Sequence, residues 1–324
     1  MAKLVRPDDV VLLLEKIRER GIGSIVGKFF DKSDKVVTEA WGHVSSTKSS
    51  WWDVEAVTAR WNLLITGKSN LAYQQYVANK YLKKRRPLKG ISLGCGTGGK
   101  EIVWASTGKF AVIDAFDISP QRIEFAREEA KKNRFGRHLN FQVGNVHKLS
   151  FPRGTYDVVI FDNSLHHLSP LMNVIDKVAN WMDDKGILIM NEFVGPDRFQ
   201  WTDEQVNLTN NLLKIMPQAL RRKKDGTIKE RLRVPGLLAM KFNDPSEAAE
   251  SQSILKTLML KFRVVELKPY GGTVLANLLK DIAHNFTSTN KDAIAWLQIL
   301  FDVEDRMLEE ARIPSDYVFG IFRK

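Results

Sequence analysis

Cysteine is almost missing from this chain: Cys95 is the only one among 324 residues, which excludes an internal disulfide and a multi-cysteine zinc site and predicts a reducing compartment. Long apolar runs are missing too. Stretches such as 10–14 fall far short of the roughly 20 residues that cross a bilayer. The first residues hold no signal-peptide core, so the expectation is a cytoplasmic protein without a transmembrane segment. Acidic residues are the scarcer charge, 38 against 49 basic, and the net +11 favours anionic partners such as nucleic acid, phosphorylated substrates or an acidic membrane surface. The basic clusters Lys83-Lys84-Arg85-Arg86 and Arg221-Arg222-Lys223-Lys224 are not interleaved with the aromatics that single-strand binding needs, and read as solvated linkers or helix ends. There is no internal repeat and no low-complexity tract. No pairing of Asp and His has the spacing of a zinc or magnesium site, so no metal is expected.

What is present begins with Ile91-Ser92-Leu93-Gly94-Cys95-Gly96-Thr97-Gly98-Gly99-Lys100-Glu101, a short apolar run that breaks into four glycines and then into helix-forming sequence. A backbone without side chains turns tightly and lets a ligand reach its amides. Asp117 closes the next apolar run, 111–116, at nearly the spacing at which a carboxylate meets a ribose. Its other reading is a helix cap before Ser119 and Pro120. Together these features place an adenosine-containing cofactor at the first strand-to-helix turn of a parallel sheet.

Ahead of that core, residues 7–35 predict a capped amphipathic helix with Asp8 or Asp9 near its start and a docking stripe of Val11, Leu12, Leu14 and Ile17. A second helical region spans about 51–82. The domain reading is therefore a helical N-terminal region, 1–87, and an α/β domain, 88–324. Strands are expected at 90–93, 111–116, 140–143, 156–161, 186–192, 262–268 and 317–322, with helices at 99–106, 120–133, 171–182 and 245–260. That pattern is a Rossmann-like, seven-stranded, mostly parallel sheet with helices on both faces. The intervals 196–243 and 271–315 exceed a minimal unit and are expected to cap the carboxyl edge of the sheet.

Gly94, Gly96 and Gly99 nominally satisfy the dinucleotide fingerprint, so an NAD-dependent dehydrogenase is one reading. Three further segments favour a methyl donor: Gly144-Asn145-Val146 after a strand, the run from Tyr156 into the polar turn Asn163-Ser164-Leu165-His166-His167-Leu168, and a final strand after a long helical interval. With these motifs in order, the chain resembles the class I S-adenosylmethionine-dependent methyltransferases over 88–324. The resemblance implies that Gly94, Cys95, Gly96, Thr97 and Gly98 hold the methionine end of the cofactor, Asp117 and Ile118 the ribose, and Asn145 and Val146 the adenine, with Asn163 and Ser164 completing the site. Ser92 and Asn145 both stand where many members carry aspartate; the asparagine keeps a hydrogen bond to the adenine amino group. Segments such as Asn191-Glu192-Phe193-Val194-Gly195-Pro196, Asp244-Pro245-Ser246-Glu247-Ala248 and Tyr270-Gly271-Gly272 further resemble bacterial methyltransferases of glycan or small-molecule pathways.

Methyl transfer from a sulfonium is an in-line displacement, and a hydroxyl acceptor needs a general base as well. His166 and His167 are candidates because they lie just past the fourth strand, although one imidazole of such a turn often ties backbone groups together. Glu192, closing the fifth strand, is the third candidate, its alternatives being a helix cap or an ion pair with Arg198. Arg198, Gln200, Trp201 and Tyr270 offer charge, amide and stacking surface to a polar, sugar-like acceptor. His284 reads as a satisfied lid residue. The expected activity is methylation of a small-molecule oxygen, the alternatives being an RNA methyltransferase or a non-catalytic cofactor-binding scaffold.

Overall fold

The computed structural model describes residues 4–12, 14, 49–83 and 86–324. Seven strands, β1 (Leu88–Leu93), β2 (Phe110–Asp117), β3 (Leu139–Val143), β4 (Tyr156–Asp162), β5 (Met182–Phe193), β6 (Arg263–Pro269) and β7 (Tyr317–Arg323), form one sheet in the order β3-β2-β1-β4-β5-β7-β6. Strands β1 to β5 pair with one another in parallel, and β7 runs antiparallel to both β5 and β6. Strand order reverses between β1 and β4, which leaves a crevice beyond their carboxyl ends.

Every residue of β4 is buried, as a central parallel strand covered on both faces requires. Its side chains alternate between two cores: Val158 and Ile160 join one cluster with Trp104, Phe110 and Ile123, while Val159 and Phe161 join the other with Leu171, Val174 and Val178. The first cluster seats α3 (Gly99–Ser106) and α4 (Pro120–Lys132), and the second seats α5 (Leu171–Trp181). Helix α5 buries Leu171, Val174, Ile175, Val178 and Trp181, an apolar stripe at helical spacing.

The expected helical region 51–82 is two helices, α1 (Glu55–Thr66) and α2 (Tyr73–Lys80), because Gly67 adopts a left-handed conformation (φ +81°) and ends the first. Both pack on the first cluster through Val57, Ile65 and Val77. The interval 196–243 contains α6 (Asp203–Ile215) and α7 (Leu237–Asn243), and 271–315 contains α9 (Leu275–Leu279) and α10 (Lys291–Glu309). Between them α8 (Ile254–Lys261) packs on α5. Among the described residues, no helix is long and apolar enough to cross a membrane.

Of the expected docking stripe, Val11 and Leu14 are exposed and Leu12 is half-buried, while Asp8 pairs with Arg231 and Asp9 accepts from the amide of Gly236 at 2.6 Å. Ile17 and most of the expected helix 7–35 lie outside the described residues. One expectation is corrected. Residues 245–250 are a turn rather than the start of a helix, since Asp244 accepts from both the amide and the hydroxyl of Ser246 and holds the backbone in a local turn. That turn proves important, because it carries Glu247.

Candidate active site at the β1–β4 switch

Past Leu93 the chain turns through left-handed glycines at Gly94 (φ +74°), Gly96 (φ +56°) and Gly98 (φ +76°), the last capping α3. Space as well as torsion demands glycine here: a Cβ on Gly94 would stand 2.8 Å from the Cβ of Ser164, and one on Gly98 would stand 2.6 Å from Phe141 Cζ. The loop is tied to β2. Gly94 and Cys95 amides donate to Phe116 O at 2.7 and 3.0 Å, and the Gly96 and Ser119 amides donate to Asp117 Oδ2 at 2.8 Å and Oδ1 at 2.9 Å. Each Asp117 oxygen accepts one of these bonds and keeps a lone pair for another. Burial, followed by the charges of Glu101 and Asp117, pushes the Cys95 thiol well up, so it stays protonated.

A cavity of about 260 Å³ opens beside this loop. Of the expected cofactor residues, Gly94, Asp117, Ile118, Asn145, Val146, Asn163 and Ser164 line it, while Cys95, Gly96, Thr97 and Gly98 shape the loop behind it. Sequence reasoning passed over Arg122, which also lines the cavity and sits one turn into α4. Asn163 is held at φ +53°, its amide donating to Asn191 O at 2.7 Å. Its side-chain Oδ1 and the hydroxyl of Ser164 are buried without a hydrogen-bond partner. Orphaned polar atoms of this kind cost about 1–3 kcal/mol each unless a ligand satisfies them.

Ser92, in place of the aspartate common in the resembling family, donates from its hydroxyl to Glu101 Oε1 at 2.7 Å. Glu101 is 2% exposed, and its Oε2 has no partner. Burial pushes its carboxyl up to about 7, against the opposing hydrogen bond from Ser92. A carboxylate is thus restored to the end of β1 from the first turn of α3, and its signal in the sequence was an acidic residue just after the glycines.

At the other end, Leu165–His167 forms a 3₁₀ turn directly after β4. Glu192, fully buried, organises it: Oε1 accepts the Ser164 and Leu165 amides at 2.6 and 2.7 Å, and Oε2 meets His166 Nδ1 at 2.7 Å. These bonds match the helix-cap alternative for Glu192, whose carboxylate positions the turn, and they leave the ion pair with Arg198 unmade. Arg198 instead donates to the carbonyls of Asp244 and Glu247 at 3.3 and 3.0 Å. Burial alone would lower His166, but the hydrogen bond and charge of Glu192 outweigh it and raise the imidazole above its ordinary value. His167, which lines the cavity, is held well below its ordinary value by burial and then by His166. Glu247 completes the cluster, with Oε1 3.7 Å from His166 Nε2 and 4.0 Å from His167 Nδ1. Burial raises this carboxyl to about 7 against the pull of His166.

Gln200, Trp201 and Tyr270, like Arg198, are not in the cavity wall. Gln200 donates to the carbonyls of Arg198 and Pro235 at 3.0 and 2.8 Å, Trp201 donates to Asp316 Oδ2 at 2.9 Å, and the buried Tyr270 hydroxyl donates to Asn191 at 2.6 Å. Their polar atoms are used to pin the 196–243 segment and β6 to the sheet edge. His284 pairs with Ser49 at 3.0 Å beside a separate hollow.

Known proteins share this framework. The chain is 24% identical over 169 residues to 27-O-demethylrifamycin SV methyltransferase of Amycolatopsis mediterranei (strain S699), covering 52% of this chain and 58% of that one. It is 25% identical over 138 residues to malonyl-[acyl-carrier protein] O-methyltransferase of Halalkalibacterium halodurans, covering 42% and 49% respectively. The chain spans about half the length of these curated relatives. Geranyl diphosphate C-methyltransferase from Streptomyces coelicolor A3(2), solved with Mg2+, geranyl-S-thiolodiphosphate and S-adenosyl-L-homocysteine, has the same fold, with a TM-score of 0.50 at 12% identity over 90% of this chain and 98% of that one. The family described as a methyltransferase domain matches residues 86–256, more than half of the sequence and the whole stretch from β1 to the start of α8. The chain belongs to the class I S-adenosylmethionine-dependent methyltransferase family.

Proposed function

We propose that this protein methylates a hydroxyl oxygen of a small polar acceptor, a sugar or a natural-product intermediate, and that residues 88–324 carry the reaction, with the described part of 1–87 and the intervals 196–243 and 271–315 enclosing it. The observation that carries the reading is the cavity at the strand-order switch, which Asp117, Asn163 and Ser164 line together, the last two with buried side-chain oxygens that lack a hydrogen-bond partner. S-adenosylmethionine supplies an electrophilic methyl group on sulfur. Asp117 accepts the two ribose hydroxyls, Asn145 and Val146 meet the adenine, and Glu101 offers the methionine ammonium its counter-charge. The relative named as malonyl-[acyl-carrier protein] O-methyltransferase supports oxygen as the acceptor atom.

The acceptor lies towards His166 and His167. Glu192 keeps the neutral His166 in the tautomer whose Nε2 is free to take a proton or a cation, while the burial of the turn excludes water. Calorimetry with adenosylmethionine and with NAD tests the cofactor, and a panel of hydroxylated acceptors read by mass spectrometry tests the reaction. Binding without turnover on any acceptor argues for a scaffold. A salt-sensitive gel shift with tRNA, together with methyl incorporation into the RNA, supports the RNA reading instead.

A further inference from the structure

We infer that His166, His167 and Glu247 form a binding site for one divalent transition-metal ion at the acceptor end of the cavity. Three ligand atoms, one from each residue, lie within 4.8 Å of one another. Tetrahedral coordination with bonds of about 2.1 Å puts ligand atoms roughly 3.4 Å apart. The Glu247 separations of 3.7 and 4.0 Å exceed this by roughly 0.3 and 0.6 Å, and the two imidazole nitrogens, within 4.8 Å of each other, by at most about 1.4 Å, so the cluster has to tighten around an ion.

Two observations say that something positive belongs between them. His166 Nδ1 stands 2.7 Å from Glu192 Oε2 and Nε2 stands 3.7 Å from Glu247 Oε1; with the Nδ1 proton given to Glu192, a neutral imidazole turns an Nε2 lone pair towards the carboxylate of Glu247. Two acceptors facing each other in a buried site repel unless a proton or a metal ion joins them. The Glu192–His166 contact is also the support that metal-bound imidazoles use: a carboxylate on one ring nitrogen fixes the tautomer and orients the other nitrogen at the ion. The third ligand is equally well held. Arg198 grips the Asp244 and Glu247 carbonyls, and the Asp244 side chain closes the turn, so Glu247 is presented by a braced loop.

Two imidazoles and one carboxylate suit borderline ions such as Zn2+ or Co2+ over Mg2+ or Ca2+, which prefer all-oxygen shells. Three protein ligands leave a coordination position for water or an acceptor oxygen. His167 and Ser246 line the cavity, so that position adjoins it. A coordinated hydroxyl gives up its proton to water more readily. This use of the ion, unlike the binding site itself, rests on the hydroxyl-acceptor reading above.

The test starts from full-length protein stripped with a chelator and dialysed, then titrated with CoCl2 and with ZnCl2. One equivalent of Co2+ per chain is expected to develop visible ligand-field bands, and Zn2+ is expected to displace it. Glu247→Gln and His167→Ala should each weaken Co2+ binding at least tenfold, with adenosylmethionine affinity and circular dichroism serving as folding controls, while the surface variant His138→Ala leaves binding unchanged. Absence of stoichiometric binding, or binding indifferent to Glu247→Gln and His167→Ala, overturns the site. Should those variants misfold, X-ray absorption of the Zn2+-loaded wild type decides: two imidazoles in the first shell support the site, and none overturns it. Hydroxyl methylation that runs equally fast in the stripped protein overturns the activating role while leaving the proposed reaction standing. A metal site with transfer to a non-oxygen acceptor does the reverse.

Discussion

The two ends of the cavity are built on different principles. The proposed cofactor end is made mostly of backbone: left-handed glycines, amides donating to Phe116 O and Asp117, and two carboxylates, Asp117 and Glu101, nearly all within the contiguous stretches 91–101 and 116–119. The acceptor end is made of side chains gathered from the turn after β4, the end of β5 and the loop before α8. A backbone site is specified by local torsions and tolerates almost no substitution in its glycines. A side-chain site is specified by tertiary packing, and one positioning carboxylate, Glu192, holds much of it together.

Glu192→Gln is the sharpest way to part the two ends and carries the largest expected effect. Its carbonyl oxygen still accepts the Ser164 and Leu165 amides, but its NH2 now faces His166 Nδ1 and forces the opposite tautomer, leaving Nε2 protonated. Turnover is expected to fall by about 10²- to 10⁴-fold, the range for losing acid–base or acceptor activation. Adenosylmethionine affinity should stay within a few-fold. Equal losses in both would show that the ends act as one unit. Gly98→Val attacks the other end: the new Cβ meets Phe141 and Ala126, and φ +76° is strained for a branched residue. Strain and overpacking together should cost about 3 kcal/mol or more in a denaturant melt. An unchanged midpoint would mean the loop is free to relax.

Asp117→Ala should weaken adenosylmethionine and its demethylated product alike, by roughly 10²-fold or more if two hydrogen bonds to a charged group are lost. Calorimetry showing unchanged affinity for both removes Asp117 from the ribose. Because Asp117 also braces the Gly96 and Ser119 amides, Asp117→Asn, which keeps an acceptor oxygen, should recover part of the loss.

The same contrast explains what was legible in the sequence. Strands β1, β2 and β4 announce themselves as short apolar runs because both faces of the central sheet are covered, and α5 does so through Leu171, Val174, Ile175 and Val178. The glycine turn and Asp117 were legible since torsion and strand-end position are local properties. The turn at 244–250 was not: its composition suits a helix, and only the side chain of Asp244 and the remote guanidinium of Arg198 draw its carbonyls away from one. Glu247 was missed with it. Arg198, Gln200, Trp201 and Tyr270 have the chemistry of a sugar-binding wall, but residue type does not disclose a partner, and theirs are carbonyls, Asp316 and Asn191. The serine at position 92 looked like a loss at the cofactor end, whereas Glu101 supplies the carboxylate from the next helix.

That substitution gives the smallest of these effects and one with a distinctive pH signature. The Glu101 carboxyl is raised to about 7 in the folded protein, against 4.5 for an ordinary glutamate, with burial as the main cause. A raised carboxyl favours the protonated folded state, so its contribution to stability is fully present below about pH 4.5 and is lost as pH rises through about 7. Glu101→Gln should flatten the stability profile across that window, by at most about 3 kcal/mol. A cation beside Oε2 would reverse the preference and draw the proton off. Calorimetry near neutral pH in two buffers of different ionisation enthalpy should therefore show adenosylmethionine binding to the wild type releasing a fraction of a proton more than binding to Glu101→Gln, with the variant a few-fold weaker. Equal proton release by both proteins would place the ammonium elsewhere and leave Glu101 as a partner of Ser92 alone.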